Sequence, residues 1–122
     1  RQRESISCPG PYATLIHPGA IVSPGAEIGA GTVIMAGAVI QAGARIGKHC
    51  IVNTSATVDH DACVQEFSHI APGAHLCGAV NIGPGALVGV GVGIEPGVMI
   101  PAWCVVKRER IVCVPVFRHA TA

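Results

Sequence analysis

The sequence predicts an all-β solenoid of short parallel strands, and three features predict it. An aliphatic residue returns at every sixth position without a missed step, running from Ile16 through Ile34, Ile46, Val58, Ile70, Ile82 and Ile94 to Val106. Four residues after each aliphatic sits a compact residue, among them Ala20, Thr32, Ala44, Cys50, Ser68, Ala74 and Ala86. Two and three residues after it come turn pairs such as Pro18-Gly19, Pro24-Gly25, Ala42-Gly43, Pro72-Gly73 and Pro96-Gly97. A helix cannot use a period of six, because successive aliphatics would rotate to opposite faces. Stacked short strands can use it, with Pro pre-setting φ and Gly accepting positive φ at each corner.

This repeat resembles the hexapeptide repeat of left-handed parallel β-helices. The resemblance implies a three-sided prism in which three hexapeptides close one coil of 18 residues. The handedness comes from that resemblance alone, since parallel crossovers are otherwise right-handed. Fifteen complete hexapeptides then make about five triangular coils. At the usual strand spacing the prism is about 24 Å tall.

Each stretch of the chain has its place in this plan. Residues 1–13 contain Cys8-Pro9-Gly10-Pro11 and no period, so they read as a tail or linker remnant. The β-helix is expected over 14–106. After Val106 the run Lys107-Arg108-Glu109-Arg110 breaks the pattern, and residues 107–122 are expected to leave the prism as a C-terminal tail. Ile111, Val112, Val114, Val116 and Phe117 give that tail apolar residues to pack on a coil or a neighbouring subunit.

Composition bounds the function. A chain of 122 residues is one domain, and 50% apolar residues with four aromatics suit a narrow core of Val, Ile and Ala. Such a core is lean per residue, so assembly with other copies is expected. A net charge of +1 gives no electrostatic case for nucleic acid or an anionic membrane. The start RQRESISCPG has no apolar run, and Gly85 to Ile94 is too short to span a bilayer. Among six cysteines there is no Cys-x-x-Cys pair, so thiols in a reducing, cytoplasmic setting are expected.

Four successive corners depart from the glycine rule: Lys48-His49, Thr54-Ser55, His60-Asp61 and Glu66-Phe67. The aliphatic beat runs on beneath them, which points to a site carried on a rigid frame. Residues 18 apart stack, so the corner above His60-Asp61 is Gly78-Ala79, where glycine has moved forward one place. A histidine beside an unobstructed backbone N–H suits acyl transfer: the imidazole takes the acceptor's proton and the N–H holds the oxyanion. His69 precedes the inward Ile70 and is expected to point outward on the next face. A groove between two packed prisms is then needed to bring His60 and His69 together.

The ordered set Asn53-Thr54-Ser55, Asp59-His60-Asp61, Phe67-Ser68-His69-Ile70-Ala71-Pro72-Gly73-Ala74 and Leu76-Cys77-Gly78 closely resembles the NeuD/PglD family of bacterial sugar O- and N-acetyltransferases. The resemblance runs from about Thr14 to Val106. It implies an acetyl-CoA-dependent transfer to an amino or hydroxyl group of sialic acid or of a nucleotide-activated amino sugar. It also implies a homotrimer with acetyl-CoA between neighbouring prisms, and no metal. Carried over by position, His60 is the general base and Asp61 the acidic neighbour that raises its basicity. His69 contacts acetyl-CoA, the Gly78 N–H meets the thioester carbonyl, and Val90 touches the pantetheine arm. No cysteine is placed to form an acyl-enzyme. Two departures stand out. The family's N-terminal Rossmann-like domain, which holds the sugar nucleotide, has only thirteen irregular residues in its place here, so a truncation or a partner is expected. A further Gly-rich coil is replaced by Lys107-Arg108-Glu109-Arg110, whose cations can meet the cofactor's 3′-phosphate.

Two other readings use the same prism. A γ-type carbonic anhydrase needs a histidine pair five residues apart plus a third, whereas His60, His69 and His75 are spaced by 9 and 6. A non-catalytic solenoid is the other, consistent with the lack of a sugar domain. His17 and His75 read as solvated. His49 shares a corner column with Phe67, Gly85 and Trp103, which reads as subunit packing.

Overall fold

In a computed structural model, residues 12–108 and the backbone of 110–113 are described. The first coil holds β1 (Leu15–Ile16), β2 (Ile21–Val22) and β3 (Glu27–Ile28), and the second β4 (Val33–Ile34), β5 (Val39–Ile40) and β6 (Arg45–Ile46). The third holds β7 (Ile51–Val52), β8 (Thr57–Val58) and β9 (Cys63–Val64), and the fourth β10 (His69–Ile70), β11 (His75–Leu76) and β12 (Asn81–Ile82). The fifth holds β13 (Leu87–Val88), β14 (Gly93–Ile94) and β15 (Met99–Ile100), after which come β16 (Cys104–Lys107) and β17 (Arg110–Cys113).

Every third strand pairs in parallel, giving three sheets that form the faces of the prism. Face A stacks β1, β4, β7, β10, β13 and β16; face B stacks β2, β5, β8, β11 and β14; face C stacks β3, β6, β9, β12 and β15. The register advances by one coil each time, as in Ile51 with His69 and His69 with Leu87. This is the parallel β-solenoid of about five coils that the period of six predicts.

The sixth-position aliphatics point inward. Ile34, Ile40, Val52, Val58, Ile70, Leu76, Ile82, Val88 and Ile100 are buried, and the compact Ala38, Ala44, Ala56, Ala62 and Ala74 fill the corners between them. Each buried Val, Leu or Ile contributes about 1.5–3 kcal/mol, so the column of them holds the coils in register. Ile16 remains about half exposed, since among the described residues no coil lies beneath the first.

At the corner between faces C and A the compact residue is polar, and it forms an internal ladder. Thr14 Oγ1 donates to the Gly29 carbonyl (2.9 Å), Thr32 Oγ1 to Gly47 (2.6 Å), Cys50 Sγ to Gln65 (3.0 Å) and Ser68 Oγ to Gly83 (2.9 Å). Thr32 and Ser68 are fully buried, so each rung satisfies a hydroxyl that would otherwise be orphaned.

Most corners share one pattern. The N–H of the second corner residue donates to the carbonyl of the first corner residue one coil below, as in Ser55 to Ala36, Asp61 to Ala42 and Ala79 to His60, whereas Gly37 and Gly43 donate to the second corner residues Gly19 and Gly25. The first corner residue's N–H has no such acceptor, which is why Pro is accommodated at 18, 24, 72, 84 and 96. From Gly31 onward the second corner residue sits in the left-handed region, whether glycine or not: His49, Ser55, Asp61, Phe67, Ala79 and Trp103 all have φ between 54° and 62°.

Beyond the last coil, β17 returns antiparallel on β16, with Lys107 opposite Arg110 and Cys104 opposite Cys113. Cys104 is disulfide-bonded, which corrects the expectation that every cysteine is a thiol. The return of β17 sets two cysteine positions across from each other, which spacing along the chain did not reveal. Cys50, Cys63 and Cys77 are free thiols. The expectations for residues 1–11 and for Val114, Val116 and Phe117 lie outside the described residues.

Candidate active site

The corner column between faces B and C carries the His60-Asp61 pair. Asp59, the last residue of face B before the turn, accepts the His60 N–H on its own side chain at 2.7 Å and so fixes the start of the corner. Asp61 follows in the left-handed region with φ of 58°. Its carboxylate leans down against Gly43, where a β-carbon would collide with Asp61 Oδ1. Gly43 therefore clears the space in which the carboxylate lies.

His60 and Asp61 are exposed, at 64% and 71% of their side-chain surfaces, and His60 Nδ1 lies 3.2 Å from Asp61 Oδ2. With Nδ1–H donating to the carboxylate, the lone pair is left on Nε2. That nitrogen faces Gly78 one coil up. A β-carbon on Gly78 would fall 2.6 Å from both Nε2 and Cε1, so the ring lies flush against the glycine backbone. Among the described residues no acceptor takes the Gly78 N–H, while the next N–H, of Ala79, is used by the His60 carbonyl at 3.0 Å. A proton acceptor and an uncommitted N–H donor thus stand together at one edge, the histidine exposed and Gly78 buried against its ring. This combination can deprotonate a nucleophile and stabilise the oxyanion that its attack creates.

His69 lies on face A, half-buried in β10, with its Nε2 3.1 Å from Asn53 Nδ2. Asn53 Oδ1 accepts the Thr54 N–H at 2.8 Å, which turns the amide nitrogen toward the histidine and makes Nε2 the acceptor. Val90 is 68% exposed at the corner between faces A and B, one coil above Pro72. The structure therefore brings His60, Asp61 and Gly78 together and leaves His69 and Val90 elsewhere. The edge between faces B and C is opposite face A, so His60 and His69 lie on opposite sides of one chain.

Sequence reasoning missed several partners. Asn53 was part of the motif without a role, and its hold on His69 could have been found by reading the column 53, 71, 89 beside the column 51, 69, 87. Gly43 could have been found because it stands directly beneath Asp61. On face B, Thr57 Oγ1 and His75 Nδ1 are 2.8 Å apart, so His75, expected to be solvated, is tied down toward the coil below. On the edge between faces C and A, His49 stacks on Phe67 with ring centroids 5.4 Å apart and Tyr12 meets His49 edge-on at 4.9 Å. Among the described residues no group of three or more His, Cys, Asp or Glu is gathered within one chain to hold a metal.

Comparison with known proteins follows the same repeat. Residues 25–60 match the model for the bacterial transferase hexapeptide (six repeats). The six-residue period continues on both sides of that match, from Ile16 to Val106. This hexapeptide-repeat chain is similar to the acetyltransferase domain of PglB from Neisseria gonorrhoeae in complex with acetyl coenzyme A, with 38% identity and a TM-score of 0.68 over 93% of this chain and 63% of that one. It is similar to PerB from Caulobacter crescentus, in complex with CoA and GDP-perosamine, with 37% identity and a TM-score of 0.76 over 85% of this chain and 50% of that one. A histidine-to-asparagine mutant of perosamine N-acetyltransferase from the same organism, with the same ligands, gives 38% identity and a TM-score of 0.80 over the same shares. The hexapeptide-repeat chain spans between half and two thirds of the length of these proteins. No curated protein matches it by sequence. Its solenoid is consistent with the β-helix domain of a NeuD/PglD-type sugar acetyltransferase.

Proposed function

We propose that this chain supplies the acyl-transfer centre of an acetyl-CoA-dependent acetyltransferase acting on an amino or hydroxyl group of a sugar or nucleotide-activated amino sugar. The observation that carries the reading is the His60 ring packed on the backbone of Gly78, whose N–H no described residue takes, with Asp61 at Nδ1. The two kinds of ligand in the similar structures, CoA or acetyl-CoA and a GDP-sugar, support the choice of donor and acceptor.

In the proposed step His60 Nε2 accepts the proton of the acceptor's amine or hydroxyl as its nitrogen or oxygen attacks the thioester carbon. The carbonyl π electrons move onto oxygen, where the Gly78 N–H stabilises them. Collapse of the tetrahedral intermediate breaks the C–S bond, and the leaving thiolate takes the proton back from the imidazolium. Asp61 keeps Nδ1–H oriented throughout and stabilises the transient charge.

A homotrimer belongs to the same proposal. Half-sites on opposite sides of one chain complete each other only head to tail, when the edge between faces B and C meets a neighbour's face A. Such heterologous contacts close into a ring. His69 and Val90 of one chain then face His60 of the next, on the cofactor's side of the groove.

The test is His60→Ala, assayed with acetyl-CoA and a panel of amino sugars and their nucleotide-activated forms. Turnover should fall roughly 10²–10⁴-fold while assembly and calorimetric acetyl-CoA affinity stay unchanged. Turnover equal to that of the unsubstituted chain would rule out His60 as the base.

A further inference from the structure

The two histidines of the proposed centre are held by partners of opposite polarity. An ionised Asp61 can only accept, so it keeps the proton of His60 on Nδ1 and leaves a lone pair on Nε2. Asn53 meets His69 with its amide nitrogen, 3.1 Å from Nε2, and an amide nitrogen can only donate. Nε2 of His69 is therefore the acceptor, and the neutral ring carries its proton on Nδ1.

The amide of Asn53 is fixed in this sense. Its Oδ1 takes the Thr54 N–H at 2.8 Å and lies 3.3 Å from Thr54 Oγ1. Reversed, it would set two donors against each other at the Thr54 N–H, at the cost of that bond. The backbone of Asn53 is committed as well: its N–H donates to the Ile70 carbonyl at 2.8 Å and its carbonyl accepts the Ala56 N–H at 3.1 Å. The bond to Ile70 ties Asn53 to the residue next to His69, so amide and ring keep their register. What remains on the ring is a donor. His69 is half-buried in β10, paired with Ile51 below and Leu87 above, and among the described residues no acceptor meets its Nδ1.

We infer that Asn53 is a positioning residue for the transfer: it locks His69 in the Nδ1–H tautomer, so that this ring serves as a fixed donor to a carbonyl oxygen of the acyl donor and does not compete with His60 as a base. This rests on the acetyltransferase reading above, in which His69 of one chain faces His60 of the next. The acyl donor offers thioester and amide carbonyls, which a lone pair at Nδ1 would repel. An amide at 53 and a carboxylate at 61 thus divide the labour between two otherwise identical side chains.

The test replaces Asn53 with Asp, which has the same shape, and with Ala. An ionised carboxylate accepts and never donates, so Asn53→Asp moves the proton of the neutral ring to Nε2. Nitrogen NMR at about pH 8, where an ordinary histidine is neutral, reads the tautomer directly, with His69 assigned by comparison with His69→Gln. The unsubstituted chain should carry the proton on Nδ1, and Asn53→Asp on Nε2. Asn53→Asp should raise the KM and calorimetric Kd for acetyl-CoA roughly tenfold and Asn53→Ala less, with kcat at saturation within about twofold for both. Circular dichroism and size-exclusion chromatography check fold and assembly. A proton on Nε2 in the unsubstituted chain would overturn the inference, whatever the variants do. So would a reversed tautomer in Asn53→Asp with acetyl-CoA affinity unchanged, and either result leaves the acetyltransferase reading standing. Absence of acetyl-CoA binding by the unsubstituted chain would bring down both readings.

Discussion

A methyl group at Gly78 is the substitution that separates catalysis from folding most cleanly. The added carbon would lie 2.6 Å from His60 Nε2 and Cε1, and ordinary contact begins near 3.4 Å, so the ring must retreat by about 0.8 Å or more. His60 is 64% exposed, so the ring can swing outward without disturbing the core. Gly78 lies outside the left-handed region, so alanine meets no backbone strain there. Gly→Ala at a compatible site stabilises by about 0.4–1 kcal/mol through the unfolded chain, which offsets the small contact cost. Stability should therefore change by less than about 1 kcal/mol. A misplacement of about 1 Å between base and reacting atoms costs on the order of 10²-fold in rate, so kcat should fall by that factor. The assay pairs initial rates at saturating acetyl-CoA with a thermal melt of the same preparation. A melt unchanged and a kcat within twofold of the unsubstituted chain would refute the claim that His60 works against this amide.

Two further predictions probe the frame that holds the site. Ser68→Ala removes the rung to the Gly83 carbonyl, which keeps only the long bond from the Ala86 N–H at 3.4 Å, so the denaturant midpoint should fall by the equivalent of about 0.5–1.5 kcal/mol. A denaturant midpoint unchanged in Ser68→Ala would show that the rung contributes nothing. Burial pushes the Cys50 thiol up from its ordinary value of 9.0, while its hydrogen bonds and neighbours alter the shift less. The unfolded chain then ionises first, so this contribution to stability is intact below about pH 9 and declines as pH rises toward the folded value. Urea midpoints of the parent and Cys50→Ala should diverge in their pH slope only above about pH 9, and parallel slopes would contradict the burial effect.

The core was legible because a six-residue period fixes which residues turn inward, and every aliphatic from Ile34 to Ile100 on that beat is buried. The His60–Gly78 relation was legible for a related reason: columns of 18 bring the two together whatever their rotamers do. Side-chain direction was not legible. Asp61 leans down over Gly43 while His60 leans up toward Gly78, a choice made by rotamers and by Asp59 at the corner rather than by spacing. The ladder of Thr14, Thr32, Cys50 and Ser68 was read only as a set of compact residues, because its meaning depends on a carbonyl 15 residues later. The return of β17 has no periodic signal at all, and the disulfide at Cys104 was hidden with it.

The order of residues at one corner ties strain to chemistry. A corner in the order of Ala42-Gly43 places glycine in the left-handed slot, where it rests without penalty. At Gly78-Ala79 the order is reversed, and Ala79 takes that slot with φ of 59° at a cost of about 1 kcal/mol or more. Nothing in the packing compensates, since Ala79 is exposed. The reversal does one thing: it moves the residue without a side chain onto the position above His60, where any β-carbon would strike the ring. The same tendency extends around the preceding coil, where His49, Ser55, Asp61 and Phe67 all occupy left-handed slots that glycine fills in most other corners. Backbone strain of this kind persists only where the surrounding structure over-determines it, and here the uninterrupted aliphatic core does so. The strained residues surround the edge that carries an imidazole, its carboxylate and an amide that no described residue takes up, which is where the proposed acetyl-transfer centre needs its parts held still.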